Sequence, residues 1–260
     1  MKKIIPFNKP YITNKELGNI KKIFLNKNDA EFSYQGKFSK LCCNEIKKIT
    51  KCKNVLLTSS CTGALEIISK SINIQEGDEV IIPSYNFVSS VDAFLGSGAK
   101  IIFCNIDEKF ILDLNDLKSK ITKKTKAIIL VHYNGLSCHF EEFLKLKKKY
   151  NLFLIEDCAH AFSAKYKNRF LGTIGDLGTF SFHDTKNFPV GQGGALSVNN
   201  KNLIKKAKIY CDKGTDRSFM GKKSYYSWKG VGSEIRATEL TSSLIYSQIR
   251  SKKIIQKRMG

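Results

Sequence analysis

The sequence predicts an α/β fold with a mostly parallel central sheet flanked by helices. Short apolar runs recur along the chain, and their starts are separated by 25, 21, 26 and 25 residues. The runs are continuous rather than alternating, which is typical of strands buried on both faces, and each gap has room for one crossover helix. A chain of 260 residues can also bury one large core. The predicted strands are 55–57, 80–82, 101–103, 127–131 and 152–155.

Helical patterns fill the gaps between these runs. In residues 139–150, Phe140, Phe143 and Leu144 share one face, while charged residues occupy the others. Residues 62–68 follow the first strand and are also predicted to be helical. The remaining predicted elements are strands at 176–182 and 195–198 around a glycine-rich turn at 191–194, and helices near 200–211 and from about 234 to the end.

The N-terminus and the cysteines favour a cytoplasmic protein. Lys2 and Lys3 open the chain as in a signal peptide, but Pro6 ends the apolar run well before the ~7–15 residues that a secretory segment needs. The eight cysteines form no CxxC pair and have no zinc-finger spacing with histidines. We therefore expect reduced thiols, without disulfides and without a metal site.

The formal net charge of +21 raises the alternative of a nucleic-acid-binding protein. Only five of the 44 basic residues are arginine, the residue that makes bidentate contacts to bases, and no binding motif accompanies them. The charge fits better with the attraction of an anionic, phosphate-bearing substrate.

A cluster of small and hydroxyl residues, TSSCTG at 58–63, lies where the first strand ends and a helix begins. Backbone N–H groups at such a helix N-terminus favour a phosphate. The same cluster is more often only a helix cap, so this feature needs support from elsewhere in the chain.

An acidic pair, Glu156 and Asp157, closes the strand predicted at 152–155. Open α/β sheets bind ligands at the carboxyl ends of their strands. A carboxylate there can hold the N–H of a pyridinium ring and keep the ring an electron sink. The simpler interpretation is an aspartate that caps the following helix.

Lys186 follows a predicted strand in the run FSFHDTKN at 180–187 and precedes the glycine-rich turn. A lysine used for imine chemistry must be held in place and partly desolvated, so that its amine is available. One lysine among so many means little by itself. Its significance comes from the order of phosphate turn, acidic pair and lysine.

With its phosphate turn, acidic pair and lysine in this order, the chain resembles the DegT/DnrJ/EryC1/StrS family of sugar aminotransferases, which are pyridoxal-phosphate enzymes of fold type I. The resemblance covers about residues 4–250. Within the family, residues 131–133, 213–217 and 228–240 are most similar to the transaminases that make dTDP-4-amino-4,6-dideoxygalactose. The stretches that carry the family resemblance are PFNKP at 6–10, GDEVIIPSY at 77–85, ED at 156–157, FSFH at 180–183 and TKN at 185–187.

The resemblance implies that Lys186 is the catalytic residue, bonds the cofactor and moves the proton during amine transfer. Asp157 would pair with the ring nitrogen, and His160 would lie near the phenolic oxygen of the ring. The family's dehydratase branch has histidine in place of this lysine, so Lys186 argues against that activity.

Four further residues are implied to contact the cofactor. Phe87 matches the aromatic ring that stacks on the pyridine, and Cys61 and Thr62 match the turn whose amides hold the phosphate. Ser181 would add a hydroxyl. Taken from the residues alone, Phe87 is more often a core residue and Ser181 an ordinary strand residue.

The implied reaction transfers an amino group from glutamate to C4 of a nucleotide-linked keto-deoxysugar, for a surface polysaccharide or lipopolysaccharide precursor. The implied partners are that sugar nucleotide, glutamate and a second copy of the chain in a homodimer, without nucleic acid or membrane. Residues 1–260 would form the cofactor-binding large domain, with an N-terminal helical segment at about 1–50.

Two departures from the family pattern leave an alternative open. Glu234 stands where the family residue reaches the phosphate of the partner subunit's cofactor, and a glutamate there must be paired or turned away. The family's small C-terminal domain is also expected to be missing. The alternative is therefore a truncated, catalytically inactive family member that acts as a binding or interaction protein.

Overall fold

The computed structural model describes residues 6, 8–26, 32, 35–219 and 225–259. The expectations that rest on residues 1–5 and 7, including the lysines at the N-terminus, lie outside the described residues. No helix within the described ranges is both long enough and apolar enough to cross a membrane.

A seven-stranded sheet forms the centre of the molecule, in the order β1-β9-β8-β5-β4-β2-β3. Six strands run in one direction, and β9 alone is antiparallel to both of its neighbours. The prediction of a mostly parallel sheet is therefore confirmed. The strands are β1 (Val55–Thr58), β2 (Glu79–Pro83), β3 (Lys100–Cys104), β4 (Thr125–Val131), β5 (Phe153–Cys158), β8 (Leu177–Ser181) and β9 (Gly194–Val198), with a separate hairpin of β6 (Lys165–Tyr166) and β7 (Arg169–Phe170).

Helices cover both faces of the sheet. They are α1 (Lys15–Leu25), α2 (Lys37–Thr50), α3 (Cys61–Ser71), α4 (Ser89–Leu95), α5 (Leu114–Lys120), α6 (Phe140–Tyr150), α7 (Ile204–Cys211), α8 (Glu239–Arg250) and α9 (Lys252–Met259). A 3-10 turn at Lys201–Leu203 precedes α7.

The last helical region begins later than the sequence predicts. The expected start was about residue 234, but α8 begins at Glu239, after a cap in which the Thr238 hydroxyl accepts the N–H of Thr241. The preceding residues are extended along the outer edge of β1, where Ser59 donates to the Ile235 carbonyl and Ala237 donates to the Leu57 carbonyl. These long-range hydrogen bonds override the local helical pattern.

The apolar runs of β2 and β4 are continuous because the sheet is buried on both sides there, whereas the edge strand β3 leaves Phe103 51% exposed, so the expectation of burial on both faces was wrong for that strand. In β2, Ile81 packs in one core cluster while Val80 and Ile82 pack in the other. In β4, Ile128 packs in the same cluster as Ile81, and Ile129 packs in the same cluster as Val80 and Ile82. Alternation of side chains across a strand thus places hydrophobic residues in both layers.

Candidate active site

A cavity of about 590 Å³ opens at the carboxyl ends of the parallel strands. Its wall is formed by the start of α3, the residues around the start of α4, the ends of β4, β5 and β8, and the loop between β8 and β9. All seven residues singled out from the sequence line this one cavity. They are Cys61, Thr62, Phe87, Asp157, His160, Ser181 and Lys186.

The start of α3 presents backbone donors to the cavity. The Ser60 side chain caps the helix by accepting the N–H of Gly63 at 3.0 Å. Cys61 and Thr62 lie between the cap residue Ser60 and Gly63, and their N–H groups have no acceptor within the helix. With the positive end of the helix, these donors are suited to an anion such as phosphate.

A glycine in β9 permits the approach of α3 to the sheet. A Cβ on Gly194 would lie 2.4 Å from the carbonyl carbon of Ser60 and 2.6 Å from the nitrogen of Cys61. Both neighbours are backbone atoms and cannot move independently of the helix. Gly194 therefore fixes where the helix N-terminus sits relative to the loop that follows β8.

The acidic pair at the end of β5 divides into two roles, because consecutive strand residues point to opposite faces. Asp157 lines the cavity, and both of its carboxylate oxygens are held. The Ala159 N–H donates to Oδ1 at 3.0 Å and the Ser90 hydroxyl donates to Oδ2 at 2.7 Å. The carboxylate is thereby fixed at the floor of the cavity.

Glu156 points the other way and fixes a neighbouring loop. Its carboxylate accepts the backbone N–H groups of Gly172, Ile174 and Gly175 at 2.6–2.7 Å, and it lies 3.2 Å from Nε2 of His132. With Cys158, this pair forms a group of possible metal ligands whose atoms lie within 4.8 Å of one another. Three backbone donors already occupy the carboxylate, which indicates a structural use of Glu156.

Lys186 is held in a turn between β8 and β9. Its N–H donates to the His183 carbonyl, while Asp184 and Phe182 pair with Gly191 and Gly193 across the loop. Burial lowers the pKa of the Lys186 ammonium below its usual value, and the nearby Cys61 and Asp157 oppose that shift. The amine is therefore easier to deprotonate than that of an ordinary surface lysine.

His160 follows β5 and lies beside Tyr133, with ring centroids 4.8 Å apart. Burial lowers the pKa of its imidazole, and the Lys186 charge lowers it further, while Asp157 opposes both. The ring is consequently neutral at pH 7 and can either donate or accept a hydrogen bond at the cavity wall.

Cys61 contributes a protonated thiol. Burial raises the pKa of this thiol well above its usual range, and the Asp157 charge raises it further. The side chain is therefore a small, neutral group at pH 7, and its N–H rather than its sulfur is suited to an anion.

Phe87 and Ser181 differ in exposure. The Phe87 side chain is 73% exposed at the cavity mouth, which contradicts the simpler interpretation of a core residue. Ser181 ends β8, is buried, and accepts the His183 N–H at 3.3 Å through its hydroxyl oxygen. Its hydroxyl hydrogen can therefore still be donated into the cavity.

Glu234 is paired, as the departure from the family pattern requires. Lys213 Nζ lies 2.7 Å from one of its oxygens, and Arg236 donates to both oxygens. Burial alone would raise the pKa of Glu234, but the hydrogen bonds from Arg236 and Lys213 lower it to about 2. Two cations thus compensate its charge at neutral pH.

Sequence reasoning missed several residues that line the cavity, including Ser89, Ser90 and Tyr133. The Thr62 hydroxyl donates to Ser89 Oγ at 2.8 Å, and Ser90 contacts Asp157. A serine at the start of a short helix has no pattern that distinguishes it from an ordinary capping or surface residue. The contact with Asp157 spans 67 residues of sequence and is visible only in the fold.

A second cavity of about 570 Å³ lies beside the outer edge of β1. Its lining includes Lys40, Lys47, Asp212 and Arg236, and none of the seven predicted site residues. The predicted site residues therefore all belong to the first cavity.

The fold and the cavity together define an aminotransferase-like α/β protein. The model of the DegT/DnrJ/EryC1/StrS aminotransferase family matches residues 12–259. The chain belongs to this family, and the family resemblance seen in the sequence is confirmed.

Relatives and solved structures agree with that membership. The chain is 37% identical over 202 residues to GDP-perosamine synthase of Escherichia coli O157:H7, covering 77% of this chain and 55% of that protein. Helicobacter pylori PseC, an aminotransferase in pseudaminic acid biosynthesis, superposes with a TM-score of 0.89 at 27% identity, over 99% of this chain and 68% of that one. The PLP form of the sugar aminotransferase Spr1654 from Streptococcus pneumoniae gives a TM-score of 0.86 at 25% identity, over 96% of this chain and 67% of that one. The chain spans little more than half the length of the curated relatives it matches.

Proposed function

We propose that this protein is a pyridoxal-phosphate-dependent aminotransferase that moves an amino group from glutamate to C4 of a nucleotide-linked keto-deoxysugar. The observation that carries the proposal is the convergence of Lys186, Asp157 and the α3 N-terminus on one cavity. Family membership and the named sugar aminotransferases among the relatives support the same reaction class.

The residues of the cavity fit pyridoxal phosphate. The N–H groups of Cys61 and Thr62, with the Ser181 hydroxyl, would hold the phosphate. Asp157 would bind the N–H of the pyridine ring, and the exposed ring of Phe87 would stack on it. The donor set is thus suited to an anionic, flat, heteroaromatic group.

When bound, pyridoxal phosphate supplies a carbonyl that bonds amines and a ring that accepts an electron pair. Lys186 Nζ would take a proton from the substrate carbon that bears the nitrogen and deliver it to the cofactor carbon bonded to the same nitrogen, which requires the neutral amine that burial favours. The Asp157 carboxylate would keep a proton on the ring nitrogen. Neutral His160 would orient the ring through a hydrogen bond.

The proposed substrate is an anionic nucleotide sugar. The net charge of +21 supports the attraction of such a molecule. The names of the curated relatives support a GDP-linked sugar, whereas the sequence resemblance favours a dTDP-linked one, so both nucleotides belong in the assay. The proposed role is precursor synthesis for a surface polysaccharide or lipopolysaccharide, in the cytoplasm. All eight cysteines are free thiols, which supports a reducing compartment.

We also propose that residues 1–260 act as the cofactor-binding large domain within a homodimer. Exposed aromatic and aliphatic side chains, including Phe87 at the cavity mouth, Trp228 and Val231, support a covered surface. Sedimentation equilibrium tests this part, and a monomer at all concentrations would contradict it.

The central test compares Lys186→Ala with the matched variant Lys201→Ala, which alters an exposed lysine outside the cavity lining. With pyridoxal phosphate, the wild type and Lys201→Ala should gain visible absorbance and transfer nitrogen from ¹⁵N-glutamate to a keto-sugar nucleotide. Lys186→Ala should do neither. A wild type that binds the cofactor but transfers no nitrogen to either nucleotide sugar would favour the inactive binding protein instead.

A further inference from the structure

Ser90 holds one side of the carboxylate that faces the cavity. Its hydroxyl donates to Asp157 Oδ2 at 2.7 Å, and the Ala159 N–H holds Oδ1 at 3.0 Å. Ser90 is 1% exposed and Asp157 5% exposed, so water competes little with this bond. Hydrogen bonds to a charged group in such surroundings are the strong ones.

The second hydrogen bond matters because of the geometry of an aspartate side chain. The terminal torsion of aspartate is broad, so a single hydrogen bond does not fix the plane of the carboxylate. Ala159 donates from the residue that follows β5 by one position, on the same chain segment as Asp157 itself. Ser90 donates from α4, a separate element, and thereby sets the angle of the plane.

The start of α4 connects several walls of the cavity. Ser90 donates its own N–H to the carbonyl of Phe87 at 3.0 Å. Its neighbour Ser89 accepts the hydroxyl of Thr62 at 2.8 Å, which links α4 to the start of α3. Ser90 is therefore fixed by its own hydrogen bond to the Phe87 carbonyl and, through Ser89, by the start of α3.

We propose that Ser90 is a positioning residue that orients Asp157 toward the ring nitrogen of the cofactor. The inference rests on the proposed cofactor chemistry and assigns Ser90 no direct contact with substrate or cofactor. Removal of its hydroxyl frees the Asp157 carboxylate to rotate and weakens its hold on the protonated ring.

The test compares Ser90→Ala with Ser90→Thr, which keeps the hydroxyl. The matched control is Ser71→Ala, which removes a buried hydroxyl that donates to the Ile67 carbonyl at the far end of α3, outside the cavity lining. The readouts are the dissociation constant of pyridoxal phosphate and the pH at which ring-¹⁵N-labelled cofactor loses its ring proton, followed by NMR. Ser90→Ala should weaken cofactor binding about tenfold, the loss expected for one hydrogen bond to a charged group. It should also move the ring titration to lower pH, while Ser90→Thr and Ser71→Ala keep the wild-type titration.

A double-mutant cycle with Asp157→Asn separates positioning from a general structural role. If Ser90 acts through Asp157, Ser90→Ala has little further effect on the ring titration in the Asp157→Asn background. An unchanged ring titration in Ser90→Ala, or an equal shift in both backgrounds, overturns the inference. If Ser90→Ala does not fold, Ser90→Cys replaces it, with the same shift expected because a thiol is a weak donor. A wild type that binds no pyridoxal phosphate overturns the proposed function itself, and so differs from a failure of Ser90 alone.

Discussion

The Glu156 carboxylate lies 3.2 Å from Nε2 of His132, and both side chains are almost completely buried. The same carboxylate fixes the backbone at residues 172–175, immediately behind the aspartate that faces the cavity. The acidic pair recognised in the sequence thus contains one residue for the site and one for the scaffold.

Glu156→Gln should destabilise the protein by about 3 kcal/mol, since an amide NH₂ would face backbone donors in a buried place. Urea unfolding measures the change. The matched variant Glu142→Gln removes a partly exposed carboxylate 2.7 Å from Lys145 and should leave the urea midpoint close to that of the wild type. Equal midpoints for the two variants would contradict the structural role of Glu156.

Nη1 of Arg236 lies 2.8 Å from Oδ2 of Asp212, and only 1% of the Asp212 side chain is exposed. The arginine therefore compensates a buried negative charge. Arg236→Ala should destabilise the protein by about 3 kcal/mol, because it leaves the buried charge without this partner. Adding Asp212→Asn should recover part of the loss. The control is Arg250→Ala, which removes a half-exposed arginine 3.4 Å from Glu45 and should have a small effect. A double variant no more stable than Arg236→Ala would refute the coupling.

Gly194→Ala should destabilise the protein by about 2 kcal/mol or more, because its Cβ would collide with the backbone of Ser60. It should also weaken phosphate binding, since the start of α3 must shift. Gly18→Ala provides the opposite case, in an exposed helical position with nothing within 4 Å. The free energy of unfolding of that variant should rise by about 0.5–1 kcal/mol. Thermal unfolding measures both changes, and a stable Gly194→Ala would show that the helix can move freely.

The Lys186 amine should become reactive at lower pH than a surface lysine. Competitive acetylation of the apoprotein across a pH range, read by peptide mass spectrometry, gives the midpoint for each lysine. Burial lowers the pKa of Lys186, whereas hydrogen bonding to Glu142 raises that of Lys145, so the Lys186 midpoint should come first. Because the Asp157 charge raises the pKa of Lys186, Asp157→Asn should move its midpoint further down. A midpoint at or above that of Lys145 would contradict the desolvation of the site.

The sequence predicted the sheet well because its signal is local. The first five strands each have a continuous apolar run, and Val80, Ile81 and Ile82 show how such a run supplies both core clusters. The edge strand β3 has the same pattern with Phe103 exposed, so the run predicts the strand better than its burial. The seven proposed site residues also converge, since parallel strands bring their carboxyl ends to a single edge. Their individual roles remain predictions.

What the sequence could not predict depends on contacts between distant segments. Ser90 meets Asp157 only in the folded chain, where the start of α4 reaches the end of β5, and a serine has no periodicity to reveal this. The extended stretch before Glu239 was expected to be helical, and that expectation was wrong because β1 offers its free edge there. The pairing of Glu234 with Lys213 likewise joins residues 21 positions apart.

The loop that carries Lys186 starts and ends on paired residues, since Ser181 of β8 lies opposite Gly194 of β9. Both strands continue into the centre of the sheet, so neither can slide without exposing its buried side. The loop between them is therefore anchored at both ends. An inserted or deleted residue in this loop should displace Lys186 relative to Asp157 in the shared cavity, whereas an exchange of side chains should leave the backbone in place.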